Sequence, residues 1–509
     1  MSLASRLENA RQQLSAAGQL HLLNFYDSLT ESEQAKLLKH IERVDWPALP
    51  AIVKDALAQR SEAKNSNTEL EADDFRPIPP DACGGRSYTA PEEVARLRDI
   101  GLEAVADGRV GVILLAGGQA TRLGVRYPKG LYEVGLPSGK SLFQLHAEKA
   151  VRVQAMAEQR FPGRAGGGIV WYIMTSEATQ AGTVKFFEQQ NYFGLRRENV
   201  VFFKQFTFPC VGLDGRVLLA DRHRIQSSPD GNGGLYRAFR ERGCLEHVRQ
   251  RGLTCLQIFG VDNILTRVAD PDFIGFCLDK LAEMGAKIVE KTSPLERVGV
   301  VTLGSDGAYR VVEYSEISAS AASRADPAFP DRLLLRAGNI CQHFLTADGL
   351  AKACQPEYET RMRYHAAVKR VPYCDPDTGC LIDSPPAENA IKLEKFVFDV
   401  FPFAGPKFVV WEVPRESEFS PLKNGPSASS ECPNTCRRDL LALHSTWISA
   451  SDTFQAFLRQ NSKTDASSTE VEVSPLLSYS GEDLANRSDW QEQVRSGGIT
   501  FHSTDTSSS

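Results

Sequence analysis

The sequence has no long apolar run and no excess of positive charge. Its purest apolar stretch, Val110–Ala116, is far below the roughly 20 residues that span a bilayer. Residues 1–13 lack an apolar core followed by a cleavage site, so neither a leader peptide nor a membrane anchor is expected, and a cytoplasmic protein is. Lys plus Arg number 58 against 64 Asp plus Glu, a formal charge of −6. That balance argues against nucleic acid as the main partner. It leaves room for a local cationic pocket that takes a phosphorylated small molecule. The 11 cysteines are scattered and odd in number. Cys432 and Cys436 are near one another, but no second Cys or His pair completes a zinc site. Reduced thiols of a cytosolic protein are the expectation. The 9 histidines form no pattern, no Ser-His-Asp arrangement is legible, and no repeat of 20–50 residues is present.

Two familiar phosphate-binding patterns are also missing. G-x-G-x-x-G does not follow the strand-like run at 110–116, which argues against a nicotinamide or flavin enzyme. Gly139-Lys140-Ser141 resembles the end of a P-loop, but the first glycine would fall on Val134, and Gly135 is out of register.

What is present is a chain of 509 residues with 42% apolar residues, enough for a sizeable core and about three domains. Residues 1 to about 60 have helical spacing, with Leu22, Phe25, Leu29 and then Leu37, Ile41, Val44. Residues 61–74 are polar and precede Pro77, Pro79 and Pro80, which predicts a linker. From about 108, short apolar runs alternate with amphipathic stretches. The runs are Val110–Ala116, Ile169–Thr175, Val200–Phe203, Leu256–Val261 and Lys287–Val289, and Lys140–Gln159 is a helical stretch. Buried strands separated by helices predict a mostly parallel sheet in an α/β protein. Val298–Leu303, Tyr309–Tyr314 and Lys407–Val413 follow more closely and predict an antiparallel addition. The division expected is 1–107 helical, 108–400 catalytic, and 401–509 a small α+β domain whose last 20 or so residues are frayed.

Residues 110–130 read VGVILLAGGQATRLGVRYPKG. An apolar strand runs into Gly117-Gly118 and then into Thr121, Arg122 and Lys129. In parallel sheets, ligands bind beyond the carboxyl ends of strands. Two glycines there let backbone N–H groups approach a base or phosphate. Arg122 can fork onto phosphate oxygens, and Lys129 can act as a point charge. Ser228-Pro229-Asp230-Gly231-Asn232-Gly233-Gly234 is a turn leading into a helical stretch at 235–242. It reads either as a surface turn or as a wrap around a sugar or base. Asp262 follows the buried run 256–261. It reads either as a Mg²⁺ carboxylate or as the cap of a following helix. Glu313-Tyr314, Gly338-Asn339, Lys392 and Lys423 are each unremarkable alone.

Together these segments resemble the eukaryotic UDP-N-acetylhexosamine (UDP-N-acetylglucosamine) pyrophosphorylases. The resemblance runs through Leu115–Gly124, Tyr127–Gly130, Trp171–Ser176, Pro229–Tyr236, Val261–Asn263, Val312–Glu316, Ala337–Asn339, Glu394–Asp399, Phe419–Asn424, Ser474–Leu476 and Ser478–Tyr479, and includes Ala17-Gly18-Gln19. It implies a Rossmann-like nucleotide-sugar transferase domain between a helical N-terminal domain and a small C-terminal one. The implied reaction joins UTP to N-acetylglucosamine-1-phosphate, or also N-acetylgalactosamine-1-phosphate, with Mg²⁺ (Mn²⁺ as an alternative), in a monomer or homodimer. By resemblance, Leu115, Ala116, Gly117, Gly118, Gln205 and Gly231 bind the nucleotide. Arg122, Lys129 and Lys392 neutralise phosphates. Asn232, Glu313, Tyr314, Asn339, Phe396, Phe398 and Lys423 hold the sugar side, and Asp262 carries the metal. One departure stands out: the family glycine is Ala120 here. If φ is positive at that position, the methyl costs on the order of 1 kcal/mol and crowds the loop; if negative, it is nearly harmless. A sugar-nucleotide-binding protein with weak or no catalysis is the alternative that this residue raises.

Overall fold

The structure is a computed structural model and describes residues 2–65, 75–164, 166–449, 451–461 and 469–503. Its contacts cluster into two units. One comprises Met1–Leu70, Gln205–Ala238 and Gln355–Val400; the other comprises Glu71–Lys204, Phe239–Cys354 and Phe401–Ser509.

The larger unit is built on an 11-stranded sheet. Strands Cys255–Gly260, Val110–Leu115, Val170–Thr175 and Val200–Lys204 lie side by side and parallel. Val110–Leu115 and Val170–Thr175 are buried at every position, as their unbroken apolar runs require for a sheet covered on both faces. Helices Pro91–Ala106, Leu142–Arg160 and Pro271–Asp279 contribute buried apolar residues to the same core. Strand Ala337–Thr346 lies between Cys255–Gly260 and Met284–Glu290, antiparallel to both. The architecture is the expected mostly parallel mixed α/β sheet. The hairpin Val300–Gly304 with Tyr309–Val312 is the expected antiparallel addition. Phe408–Glu412 is not part of it. That strand pairs parallel with Met284–Glu290 and with Cys83–Gly85, because spacing along the chain does not record which neighbour a strand returns to.

Two boundaries also differ from expectation. Residues 61–65 continue the helix Leu49–Asn65, and 66–74 lie outside the described residues. The C-terminal segment is not frayed from 490. Trp490–Arg495 is a helix, and Ile499–Ser503 pairs with Thr469–Val473. Trp490, Val471, Val473 and Ile499 share a small buried core that offsets the entropy of ordering this polar stretch. Residues 504–509 lie outside the described residues.

The smaller unit carries helices Leu3–Ala16, Glu31–Ile41 and Leu49–Asn65. The second begins with a capping box, Thr30 on the Glu33 N–H and Glu33 back on Thr30, which satisfies two orphan donors of the first turn. Gln19 is buried. Its amide donates to the Gly215 carbonyl at 3.0 Å and accepts from the Val217 N–H at 2.8 Å. Among the described residues, no helix is long and apolar enough to cross a membrane.

Candidate functional site

The expected site residues divide between the two units. Leu115–Gly118, Arg122, Lys129, Asp262, Glu313, Tyr314, Asn339 and Lys423 belong to the larger; Gln205, Gly231, Asn232, Lys392, Phe396 and Phe398 belong to the smaller.

In the larger unit, Leu115 ends its strand, and Ala116 continues the ladder with one bond from its N–H to the Met174 carbonyl. The chain then turns outward. Gly117 is half-buried and Gly118 exposed, and a side chain at Gly118 would meet nothing within 4 Å. The loop closes on itself: the Lys129 N–H donates to the Gly118 carbonyl at 3.2 Å, and the Ala120 N–H to the Tyr127 carbonyl at 3.2 Å. Arg122 is exposed on this loop, and among the described residues its guanidinium has no ion-pair partner. Ala120 has φ −85°, and its methyl is buried with Leu123, Val134, Leu142, Ile264 and Leu422. The alanine is therefore unstrained, and its methyl packs inward.

Lys129 is brought back to the strand ends. Its Nζ donates to the Leu422 carbonyl at 3.1 Å and stands 3.4 Å from Asp262 Oδ2. Asp262 follows strand Cys255–Gly260 in a turn, not at a helix start, so the helix-cap reading fails. Its carbonyl accepts from the Leu422 N–H at 2.8 Å. The next residue, Asn263, stitches this turn to 418–420. Its Oδ1 accepts from the Ser420 N–H at 2.9 Å, and its Nδ2 donates to the Glu418 carbonyl at 2.7 Å. Lys423 is one residue from Leu422 and pairs with Glu431 at 2.7 Å. Burial pushes the Cys341 thiol up to about 12, with Asp262 adding to the shift and Lys423 opposing it, so all three share one neighbourhood.

Asn339 and Glu313 meet at Gly299. The Asn339 N–H donates to the Gly299 carbonyl at 2.8 Å, and the Glu313 carboxylate packs against Gly299 itself. Asn339 Oδ1 accepts from the Cys341 N–H at 3.2 Å and lies 3.1 Å from His343 Nε2. Tyr314 is 44% exposed, free to present its ring to a ligand.

In the smaller unit, the Gly231–Gly234 turn lies on the backbone of 395–397. Gly231 has φ +86°, and a Cβ there would overlap the Lys395 carbonyl, so no other residue fits. Asn232 Oδ1 accepts from the Val397 N–H at 2.9 Å, leaving its Nδ2 donors as the pair still available among the described residues. Phe396 and Phe398 have ring centroids 5.1 Å apart. The first of them packs against the His365 ring, tilted by 32° with centroids 4.2 Å apart. Asp399 Oδ2 accepts from the Phe396 N–H at 2.8 Å, and Tyr236 donates to the Val397 carbonyl at 2.6 Å. Gln205 is buried one residue before Phe206, whose carbonyl accepts from the Asp230 N–H. Lys392 is half-buried on strand Ala390–Glu394, between the fully packed Ile391 and Leu393.

Sequence reasoning missed the supports. Asn263 sits inside the run Val261–Asn263, but its bonds to the distant backbone of 418–420 are not a local pattern, whereas Asp399 bonds to the N–H three residues before it. Lys149 is buried in helix Leu142–Arg160 and donates to the Ile264 and Thr266 carbonyls at 2.7 and 2.9 Å, bracing the turn after Asp262. Burial pulls its pKa down to about 7. A lysine among Ala147, Ala150 and Val153 on an apolar stripe was the available signal.

The sequence pattern described as UTP–glucose-1-phosphate uridylyltransferase matches residues 53–476. The chain belongs to that family. Among relatives, it is 43% identical over 494 residues to UDP-N-acetylhexosamine pyrophosphorylase-like protein 1 of Xenopus tropicalis, covering 94% of both chains. It is 39% identical to the UDP-N-acetylglucosamine pyrophosphorylase of Saccharomyces cerevisiae, covering 94% of this chain and 97% of the yeast protein. Among solved structures, the uridine diphosphate N-acetylglucosamine pyrophosphorylase of Trypanosoma brucei, in complex with an inhibitor, superposes with a TM-score of 0.79 at 31% identity. That match covers 97% of this chain and 95% of the other. This family membership agrees with the resemblance read from the motifs.

Proposed function

We propose that the chain is a uridylyltransferase that converts UTP and N-acetylglucosamine-1-phosphate to UDP-N-acetylglucosamine and pyrophosphate, with N-acetylgalactosamine-1-phosphate as a further substrate. The observation that carries this reading is the placement of Lys129 beside Asp262 and the open Gly117-Gly118 turn at the carboxyl ends of adjacent parallel strands. That is where a parallel sheet binds phosphorylated ligands.

A phosphate oxygen of the sugar phosphate attacks the α-phosphorus of UTP. The bond from that phosphorus to the bridging oxygen breaks, and pyrophosphate leaves with the electron pair. The nucleophile is already an anion, so no general base is needed. The work is positioning and charge neutralisation. Leu115–Gly118, with Gln205 and Gly231, take the uridine. Arg122, Lys129 and Lys392 neutralise phosphate charge. Asn232, Glu313, Tyr314 and Asn339 take the sugar hydroxyls, Phe396 and Phe398 the acetyl group, and Lys423 the sugar phosphate once Glu431 releases it.

A divalent cation fits at Asp262. Its carboxylate is 33% exposed and engages a single cation, and Mg²⁺ is commonly held by one or two carboxylates plus substrate phosphates. Among the described residues no cluster of three acidic, His or Cys groups could form an all-protein cage. Bound there, Mg²⁺ or Mn²⁺ would offset charge on the triphosphate. Asp262 would hold it, and Lys129 would be released toward phosphate. We further read the chain as a cytoplasmic enzyme acting as a monomer or homodimer, with the segments 1–107, 108–400 and 401–509 as its functional parts.

Ala120 is the only support of the non-catalytic alternative, and its negative φ and inward-packed methyl argue against that alternative. A pyrophosphate-release assay with UTP, Mg²⁺ and a panel of sugar-1-phosphates tests the proposal. Preference for glucose-1-phosphate would overturn the acetyl assignment of Phe396 and Phe398.

A further inference from the structure

Asp230 has no role in the reaction above, yet its side chain is buried directly beneath the Gly231–Gly234 turn. The residue is 7% exposed, and its Oδ1 has no hydrogen-bond partner among the described residues. A Cβ on Gly234 would fall inside this carboxyl, so the side chain is wedged against the turn. Its backbone belongs to the same joint: the Lys395 N–H donates to the Asp230 carbonyl at 2.9 Å, and the Gly233 N–H donates to the Lys395 carbonyl at 2.8 Å. Lys395 is thus the residue on which the turn hangs. Its ammonium does not pair with Asp230. It donates to the Glu359 carbonyl at 3.0 Å and lies over the Tyr364 ring at 4.6 Å.

We propose that Asp230 is a positioning residue that wedges the Gly231–Gly234 turn onto Lys395 and so sets the reach of Asn232 toward the sugar. The sugar part of this inference rests on the function proposed above. A buried carboxyl with an unpartnered oxygen is best accommodated neutral. Burial raises its pKa to about 7, against the pull first of its own backbone N–H and then of Arg237 and Lys395, with Glu359 adding to the rise. Tyr364 also faces it. When Asp230 ionises, the Lys395 ammonium is drawn from Glu359 toward it, and the two backbone bonds of the turn move with that residue. The sign follows from the raised value. Stability from the neutral carboxyl is fully present below the ordinary 3.8 and is lost as pH rises through about 7.

The test compares the full-length protein with Asp230→Asn, which mimics the neutral form, from pH 6 to 8. Hydrogen exchange at the 231–235 backbone, corrected for intrinsic rates, reads the turn without any ligand. Calorimetry with UDP-N-acetylglucosamine reads its consequence. The wild type should lose protection by about fivefold or more as pH rises, with a matching loss of affinity, while Asp230→Asn keeps its pH 6 values throughout. If Asp230→Asn does not fold, Lys395→Met serves: without the ammonium, the pH response should vanish. A flat wild-type exchange profile overturns the proposal, and so does a variant that follows the wild-type pH dependence. If exchange behaves as stated but no form binds UDP-N-acetylglucosamine, the positioning of the turn stands and the substrate assignment fails.

Discussion

Arg122 and Ala120 are two positions apart in one loop and face opposite ways. The Arg122 guanidinium is exposed and without an ion-pair partner among the described residues, so folding gains little from it. Arg122→Ala should leave the melting temperature within a degree or two while lowering kcat roughly 100- to 1,000-fold, the effect of losing one preorganised contact to developing charge. Steady-state kinetics and a thermal melt on the same sample check both halves, and an unchanged rate removes Arg122 from catalysis. Ala120 is 1% exposed and has negative φ. Ala120→Gly should therefore cost stability, about 0.8 kcal/mol for the buried methyl and about 0.4–1 kcal/mol for chain entropy, with the rate unchanged. A tenfold gain in rate, about 1.4 kcal/mol of barrier, would show that the methyl obstructs the phosphates.

At the scale of elements, the turn at 262–267 and the segment 418–424 act as one piece. Asn263 joins them through three buried backbone groups, the N–H of Ser420 and of Leu265 and the carbonyl of Glu418. Asn263→Ala leaves them unpaired and should cost about 2–4 kcal/mol by denaturant titration, with a weaker apparent affinity for Mg²⁺ in the assay. A loss under 1 kcal/mol would mean that the two segments hold without it. Beneath them, Lys287 is fully buried between Asp270 and Glu418 at 2.5 Å each, a pair of contacts whose partners are far apart in sequence. This is where sequence reasoning stops short. The strands at 110–115, 170–175 and 255–260 were legible because burial on both faces leaves an unbroken apolar run. Ala337–Thr346 was not, because Gln342 and His343 are polar yet fully buried and break the pattern. The direction of Phe408–Glu412 was not legible either, since an apolar run carries no record of its neighbour. The charged and glycine-rich site residues were visible as types beside strand ends. Two of their supports, Asn263 and Lys149, were not, since each acts on backbone brought close only by folding.

For the whole molecule, a net charge of −6 coexists with cations of the larger unit at the strand ends, Lys129 beside Asp262 and Lys423 beside Glu431, and with Arg122, unpaired among the described residues and exposed on its loop. The most direct measurement is pyrophosphate release by the purified chain with UTP, Mg²⁺ and, in separate reactions, N-acetylglucosamine-1-phosphate, N-acetylgalactosamine-1-phosphate and glucose-1-phosphate. Sustained release with the N-acetylhexosamine phosphates, abolished by chelation and slower with glucose-1-phosphate, is the expected result. No release with any of the three sugars, from a protein that melts cooperatively, would contradict it.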